Sequence, residues 1–239
     1  PLFMSTHACH SRVKTEPFES VRMTRHLPPT ANIAEQMQDG LLVAPSASNN
    51  MGLISQVLRD IAPKQGRAVE LASGTGQHCV AFAKTCPALT WVPTDIDNAR
   101  LASIGIYVSE AQLDNLTLPV RLDATQAGWS TSTGPLDMIV LVNLLHLISE
   151  AEARIVINEV AKALAPGGVF LLYGPFMRGG ELTSEGDERF HESLVNTDAE
   201  IGYKDDFDVI EWAQTAGLNA AQILEMPANN LSLVFSKPE

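Results

Sequence analysis

Cysteine is scarce in this 239-residue chain, which carries only Cys9, Cys79 and Cys86. The number is odd, and Cys79 and Cys86 fall seven residues apart on what reads as one helix, about 10 Å along its axis and too far to bridge. A disulfide-stapled scaffold is therefore excluded, and a reduced, cytoplasmic protein is expected. Positive charge is also short, with 16 Lys and Arg against 28 Asp and Glu leaving a net charge of −12. That balance argues against a nucleic-acid partner, whose phosphates are met chiefly by Lys and Arg. Long apolar runs are missing as well. The longest, Met138 to Val142, is followed by Asn143 and His146 and falls far short of the roughly 18 residues a membrane span needs. The first 30 residues mix Arg12, Lys14, Arg22 and Arg25 with Glu16, Glu19 and histidines, which is no secretory signal. No repeat or low-complexity period occurs. No metal set emerges either, since His78, Cys79 and Cys86 share one helix without convergent spacing and His7 and His10 lie near the N-terminus.

What remains is an ordinary globular composition, 45% hydrophobic and 18% charged, with enough chain for a well-buried core. Residues 1–30 lack periodicity and are read as a flexible leader ahead of one domain over residues 31–239. Within that domain, apolar β-rich runs alternate with helical stretches, the pattern of a parallel sheet covered by helices on both faces. Strands are predicted at Ala68–Leu71, Thr90–Thr94, Leu118–Leu122, Met138–Val142 and Val169–Tyr173, with an early helix near Asn50–Ala62. Ser149-Glu150-Ala151-Glu152 is a capping box that opens a helix ending before Pro166-Gly167-Gly168. Residues 181–204 read as polar and irregular, and a helix over Asp205–Ala216 follows, with Gly217 as its C-terminal cap. Only Met226–Asn230 separate the last two strands, Ala220–Glu225 and Leu231–Ser236, so these must form an antiparallel hairpin. The expected fold is a Rossmann-like α/β architecture with a seven-stranded, mostly parallel sheet.

The first strand runs into Glu70-Leu71-Ala72-Ser73-Gly74-Thr75-Gly76, and a helix follows from Gln77. Glycines there let a ligand approach the backbone, and the helix N-terminus adds donors. A dinucleotide fingerprint would need a third glycine where Cys79 stands, which demotes NAD, and no Walker pattern follows. Glu70, Asp95 and Asp123 end three consecutive strands around the crevice where open α/β sheets bind ligands. Asp95, about 20 residues past the loop, can accept both hydroxyls of a ribose. Asp123 can accept from an adenine amino group while Ala124 offers a backbone donor. Singly, each acid also reads as a cap or turn residue, and the loop as a plain βα turn.

With those residues the chain resembles the class I S-adenosylmethionine-dependent methyltransferases over about residues 44–239. The resemblance is carried by the loop Glu70–His78, by Pro93-Thr94-Asp95-Ile96-Asp97 and by Leu164-Ala165-Pro166-Gly167-Gly168. More narrowly it is similar to the methyltransferase-like 26 family, through Asn143-Leu144-Leu145-His146, Tyr173-Gly174-Pro175-Phe176 and the stretch Met226–Phe235. The resemblance implies S-adenosylmethionine as cofactor, with Gly74 and Gly76 passing beneath it, Asp95 on its ribose, Asp123 on its adenine and Asn143 near its methionine moiety. Where that family tends to carry Arg-Asn ahead of the first helix, this chain has Asn49-Asn50, so a positive charge is missing beside the substrate-side candidate Asn50.

Methyl transfer from a sulfonium demands alignment first, and a base only where the nucleophile must lose a proton. His146 is the best base candidate, since histidine titrates near neutrality, and pocket wall or packed core are its other readings. His78 reads as a helix-start residue or cofactor neighbour. Tyr173 and Phe176 follow the fifth strand and can wall a substrate pocket or simply pack. Asn229 and Asn230 are turn residues that can also reach the site. Between Glu181 and Glu211, eleven acids face only Arg189 and Lys204, a balance that favours an amine-bearing acceptor if it lies at the mouth and is otherwise a solvated surface. The expectation is a methyltransferase acting on a small molecule or peptide-like metabolite, N-methylation slightly favoured, with neither nucleic acid nor membrane as partner. A non-catalytic cofactor-binding module and a protein methyltransferase are the alternatives, and a nicotinamide oxidoreductase is the weakest contender.

Overall fold

The structure is a computed structural model that describes residues 27–29, 31, 33–37 and 40–239. The leader expected over residues 1–30 therefore lies outside the described residues except at 27–29, as does Cys9.

Two short strands, β1 (Glu35–Gln36) and β2 (Leu42–Val43), pair antiparallel ahead of α1 (Pro45–Ile61). Proline at the first helical position starts α1 without loss, because that N–H has no intrahelical partner. The helix thus begins five residues before the expected Asn50, and its inward face carries Ala47, Asn50, Ile54 and Leu58 at helical spacing. Next come β3 (Gly66–Leu71), α2 (Gln77–Thr85), β4 (Leu89–Asp95), α3 (Asn98–Ala111), β5 (Val120–Arg121), α4 (Ser130–Thr133), β6 (Leu136–Val142), α5 (Glu150–Ala163) and β7 (Leu164–Pro175). The chain closes with α6 (Glu185–Thr197), α7 (Asp206–Thr215), β8 (Asn219–Met226) and β9 (Asn230–Ser236).

Seven strands form one sheet in the order β5-β4-β3-β6-β7-β9-β8. Pairing is parallel from β5 through β7, and β9 joins β7 antiparallel with β8 outside it. This is the Rossmann-like sheet with a C-terminal hairpin that the sequence pattern led us to expect. Consecutive strand residues point to opposite faces. Val69, Ile139 and Leu141 pack with α5 and α7, whereas Ala68, Met138 and Val140 pack with α1, α2 and α3. Both faces are buried, which is why these strands read as continuous apolar runs.

Two expectations need correction. The third predicted strand, Leu118–Leu122, shrinks to the two residues of β5, because Pro119 has no N–H to donate to a ladder. Residues 181–204 are not irregular throughout, since α6 occupies their middle. Ser184 caps it by accepting from the Asp187 N–H, and Glu185, Asp187 and Glu188 sit favourably in its positive first turn. Its polarity concealed the inward spacing of Asp187 and Leu194. The β1–β2 pair was not anticipated. By contrast, the capping box of α5 forms as expected, with Ser149 N–H donating to Glu152 at 2.8 Å and Glu152 N–H donating to Ser149 Oγ at 3.2 Å.

Candidate functional site

After β3 the chain builds β4 and β5 on one side and then crosses to place β6 on the other. The C-terminal ends of β3 and β6 therefore diverge into a crevice, the place where open α/β sheets bind ligands. A cavity of ≈460 Å³ lies there. Its wall combines Glu70 and the following loop, Asn143 after β6, Tyr173 on β7, Asn50 on α1 and Asn230 of the last hairpin.

The loop after β3 is stitched to the end of β4. Ser73 N–H donates to Thr94 O at 2.7 Å, Thr94 N–H returns to Ser73 Oγ at 3.1 Å, and the Thr94 hydroxyl donates to Glu70 O at 2.8 Å. Gly74 and Gly76 hold φ of +61° and +100°, left-handed values that only glycine adopts freely. Their roles differ. Gly74 faces the cavity, whereas a side chain on Gly76 would stand 2.9 Å from Ile104 Cα, so Gly76 lets α2 close on α3 and does not line the wall. Three non-glycine residues with positive φ, Ala72 at 51°, Asn143 at 55° and Ala228 at 55°, also border the cavity. Strain of that kind collects at functional sites.

Glu70 is 1% exposed, its Oε2 has no hydrogen-bond partner among the described residues, and it borders the cavity. Burial pushes its carboxyl up to about 8, a rise opposed by a hydrogen bond with Ser73 and reinforced by the Asp95 charge. A carboxyl with one orphan oxygen facing a cavity fits a cationic ligand group, which would ionise it and complete its bonding.

On the α1 side, His78 Nε2 lies 2.7 Å from Asn50 Oδ1, and the Tyr173 hydroxyl also bonds the Asn50 side chain. Because a carbonyl oxygen only accepts, His78 donates from Nε2. Burial lowers His78 to about 4, so it is neutral at physiological pH. His146 also lines the cavity and is pushed down to about 3, by burial first and then by the Lys204 ammonium. A neutral imidazole there can accept a hydrogen bond but is a weak proton acceptor. Its ring meets Phe190 at 5.7 Å and Tyr203 at 6.1 Å between centroids, and both of those rings line the cavity.

Of the sequence candidates, Glu70, Gly74, Asn143, His146, Asn50, Tyr173 and Asn230 converge on this cavity. The others do not line it. Asp95 is 3% exposed and accepts from the N–H groups of Gly74 at 2.9 Å, Ile96 at 2.8 Å and Asp97 at 3.0 Å. Asp123 accepts from Thr125 N–H and Oγ and faces a separate groove with Arg67, Arg121 and Trp129. Ala124 and Phe176 belong to the core on the α5 face. Asn229 turns away and donates to Asp187 at 2.8 Å and Ser184 at 3.1 Å, tying the last hairpin to α6. Arg100, Phe190 and Tyr203 are lining residues that sequence reasoning missed. None of the eleven acids between Glu181 and Glu211 lines the cavity, and that stretch contributes Phe190 and Tyr203 instead. Among the described residues no group of three or more His, Cys, Asp or Glu is placed to hold a metal, and no helix is long and apolar enough to cross a membrane.

Residues 42–237 match the family model described as "Protein of unknown function (DUF938)". The fold is similar to that of an O-methyltransferase family protein from Burkholderia thailandensis, with a TM-score of 0.69 and 18% identity over 81% of this chain and 57% of that one. It is similar to human N-acetylserotonin methyltransferase, solved in complex with S-adenosylmethionine, with a TM-score of 0.67 and 13% identity over 81% of this chain and 53% of that one. A methyltransferase of calicheamicin biosynthesis, solved with S-adenosylhomocysteine bound, aligns with a TM-score of 0.63 and 14% identity over 81% of this chain and 54% of that one. The chain thus spans between 53% and 57% of the length of these three proteins.

Proposed function

From a chain that belongs to the DUF938 family and shares its fold with methyltransferases, we propose an S-adenosylmethionine-dependent methyltransferase acting on a small molecule or peptide-like metabolite. The observation that carries this reading is Glu70, a buried carboxyl with an orphan oxygen at the cavity wall, beside a glycine loop at the crossover of the sheet. The finer kinship with the methyltransferase-like 26 family rests on the motifs around His146, Tyr173 and Asn229. Residues 31–239 would form the catalytic domain, in a cytoplasmic protein with neither nucleic acid nor membrane as partner.

The cofactor would supply an electrophilic methyl group on a sulfonium sulfur. In this proposal Glu70 takes the ammonium of its amino-acid tail, and Asn143, held at positive φ, sets the floor nearby. Gly74 leaves the approach open because it has no side chain. Asp95, Asp123 and Ala124 do not line this cavity and take no part in holding the cofactor there. His146, neutral and enclosed, positions the acceptor by accepting a hydrogen bond. It removes a proton only from an acceptor that is itself acidic, because its own affinity for protons is low. The acids that favoured N-methylation lie off the cavity, so the proposal is methyl transfer without a choice between nitrogen and oxygen. A cofactor-binding module without turnover has one observation in its favour, that same low basicity of His146.

The test is calorimetric titration with S-adenosylmethionine and S-adenosylhomocysteine, with NAD as control. Micromolar binding of the first pair alone is expected, and its absence refutes the proposal. Labelled methyl transfer to fractionated extract then separates an enzyme from a binding module.

A further inference from the structure

The cavity has two chemically different ends. Glu70 and Arg100 are its charged lining residues other than histidine, and both stand at the glycine loop, where Arg100 Nη1 comes within 3.7 Å of a side-chain position on Gly74. Another part of the lining is formed by His146, Phe190 and Tyr203, together with Leu144 and Leu147. These three rings come from three separate segments: the turn after β6, helix α6 and the loop before α7. Their centroids are 5.7, 6.1 and 6.1 Å apart, and their planes cross at 62°, 70° and 72°.

Bonds made away from the cavity hold each segment. The Tyr203 hydroxyl donates to Asp187 Oδ1 at 3.1 Å, and its N–H donates to His191 Nδ1 at 3.1 Å. Asp187 Oδ2 accepts in turn from Thr183, Ser184 and Asn229. Gly202 N–H donates to His146 O at 3.0 Å, and the Lys204 ammonium donates to Ile148 O at 2.8 Å and Gly202 O at 2.9 Å. The ring wall is therefore set before any ligand arrives, which lowers the entropy cost of binding against it.

Two guests suit aromatic rings: an ammonium group and another flat ring. An ammonium needs rings spread around a void, each within about 6 Å of the charge. Here the three centroids stand only 5.7–6.1 Å apart in edge-on contact with one another. The charges around the wall are mixed, with the Lys204 ammonium acting on His146 and His191 and the Asp187 carboxylate accepting from the Tyr203 hydroxyl, so they do not single out an ammonium guest. A flat uncharged ring needs no such void, because offset or edge contacts with a ring wall are its preferred geometry.

We propose that the wall of His146, Phe190 and Tyr203 receives an aromatic or heteroaromatic ring of the methyl acceptor, which makes the acceptor a planar ring compound. This rests on the reading of the cavity as a methyltransferase site. Phe190 and Tyr203 are then specificity-determining residues.

The experiment titrates the full chain, with and without saturating S-adenosylhomocysteine, with naphthol, with its saturated counterpart decahydronaphthol, and with choline. Naphthol should bind about three- to tenfold more tightly than decahydronaphthol, the contribution of ring contacts beyond apolar area, and more tightly than choline. Phe190→Leu, which keeps the side chain apolar, should abolish that preference and spare S-adenosylhomocysteine affinity, while Tyr203→Phe, which keeps the ring, should retain it. Equal affinity for naphthol and decahydronaphthol, tighter binding of choline, or an undiminished preference in Phe190→Leu would each overturn the proposal. Because the comparison is also made on the unloaded protein, a failure of S-adenosylhomocysteine to bind would refute the cofactor reading while naphthol still decides this one.

Discussion

Replacing Glu70 by glutamine should make the protein more stable at neutral pH and worse at holding its cofactor. The carboxyl is fully buried and raised from 4.5 to about 8, chiefly by desolvation. Between those values the folded state keeps a proton that the unfolded chain has released. Unfolding therefore releases a proton, and the stability Glu70 allows is complete below about pH 4.5 and lost as pH rises toward 8. At 1.36 kcal/mol per pH unit, the loss between about pH 5 and about pH 7.5 integrates to about 3 kcal/mol. Glutamine does not titrate and escapes it. Urea unfolding of both proteins at the two pH values reads the effect as a difference, which cancels the opposite slopes from His78 and His146. In the same variant, loss of a charged partner for the ligand's ammonium should cost about 1.5–3 kcal/mol, roughly tenfold to 150-fold in S-adenosylhomocysteine affinity by calorimetry. A stability difference that stays flat with pH would refute the buried-carboxyl argument. Unchanged affinity would remove Glu70 from the site.

Acid should destabilise the protein through its buried histidines. His78 and His146 stay neutral when folded down to about 4 and about 3, whereas the unfolded chain protonates them near 6.5, so stability falls as pH drops through those windows. In His146→Gln that acid limb, followed by urea midpoints, should be shallower. Gly76→Ala should cost about 1–3 kcal/mol in urea unfolding, because its methyl meets Ile104 Cα at 2.9 Å with φ at +100°. A cost below about 0.5 kcal/mol would show that α3 yields. Asp187→Asn puts an amide where four donors converge and should cost about 1–3 kcal/mol, read as a lower melting temperature.

Much of this protein was legible from local patterns. The strand ends, the glycine loop, the capping box at Ser149 and the five-residue gap of the terminal hairpin are local rules, and each is visible without knowing what packs where. The same rules led to Glu70, Gly74 and His146, because the ends of adjacent strands must meet at the crossover of the sheet, whereas Asn143 was implied by the family resemblance alone. They were silent on α6, whose acidic surface outweighed the spacing of Asp187 and Leu194, and on β1–β2, which are only two residues each.

The sequence by itself determined the fold class and the end of the sheet at which the cavity opens, since apolar period, caps and turn lengths act over a few residues. Only the tertiary structure decided which candidates share one wall. It turned Asn229 toward Asp187 and away from the cavity, set Asp123 in a separate groove, and buried Phe176 in the core. It brought Phe190 and Tyr203 to His146 across more than 40 residues of chain. It also left the acids that dominate the local composition off the cavity wall, to which the same stretch contributes Phe190 and Tyr203. The ionisation of Glu70 and His146 belongs to the structure for the same reason: desolvation depends on everything packed around a group, and no motif carries it.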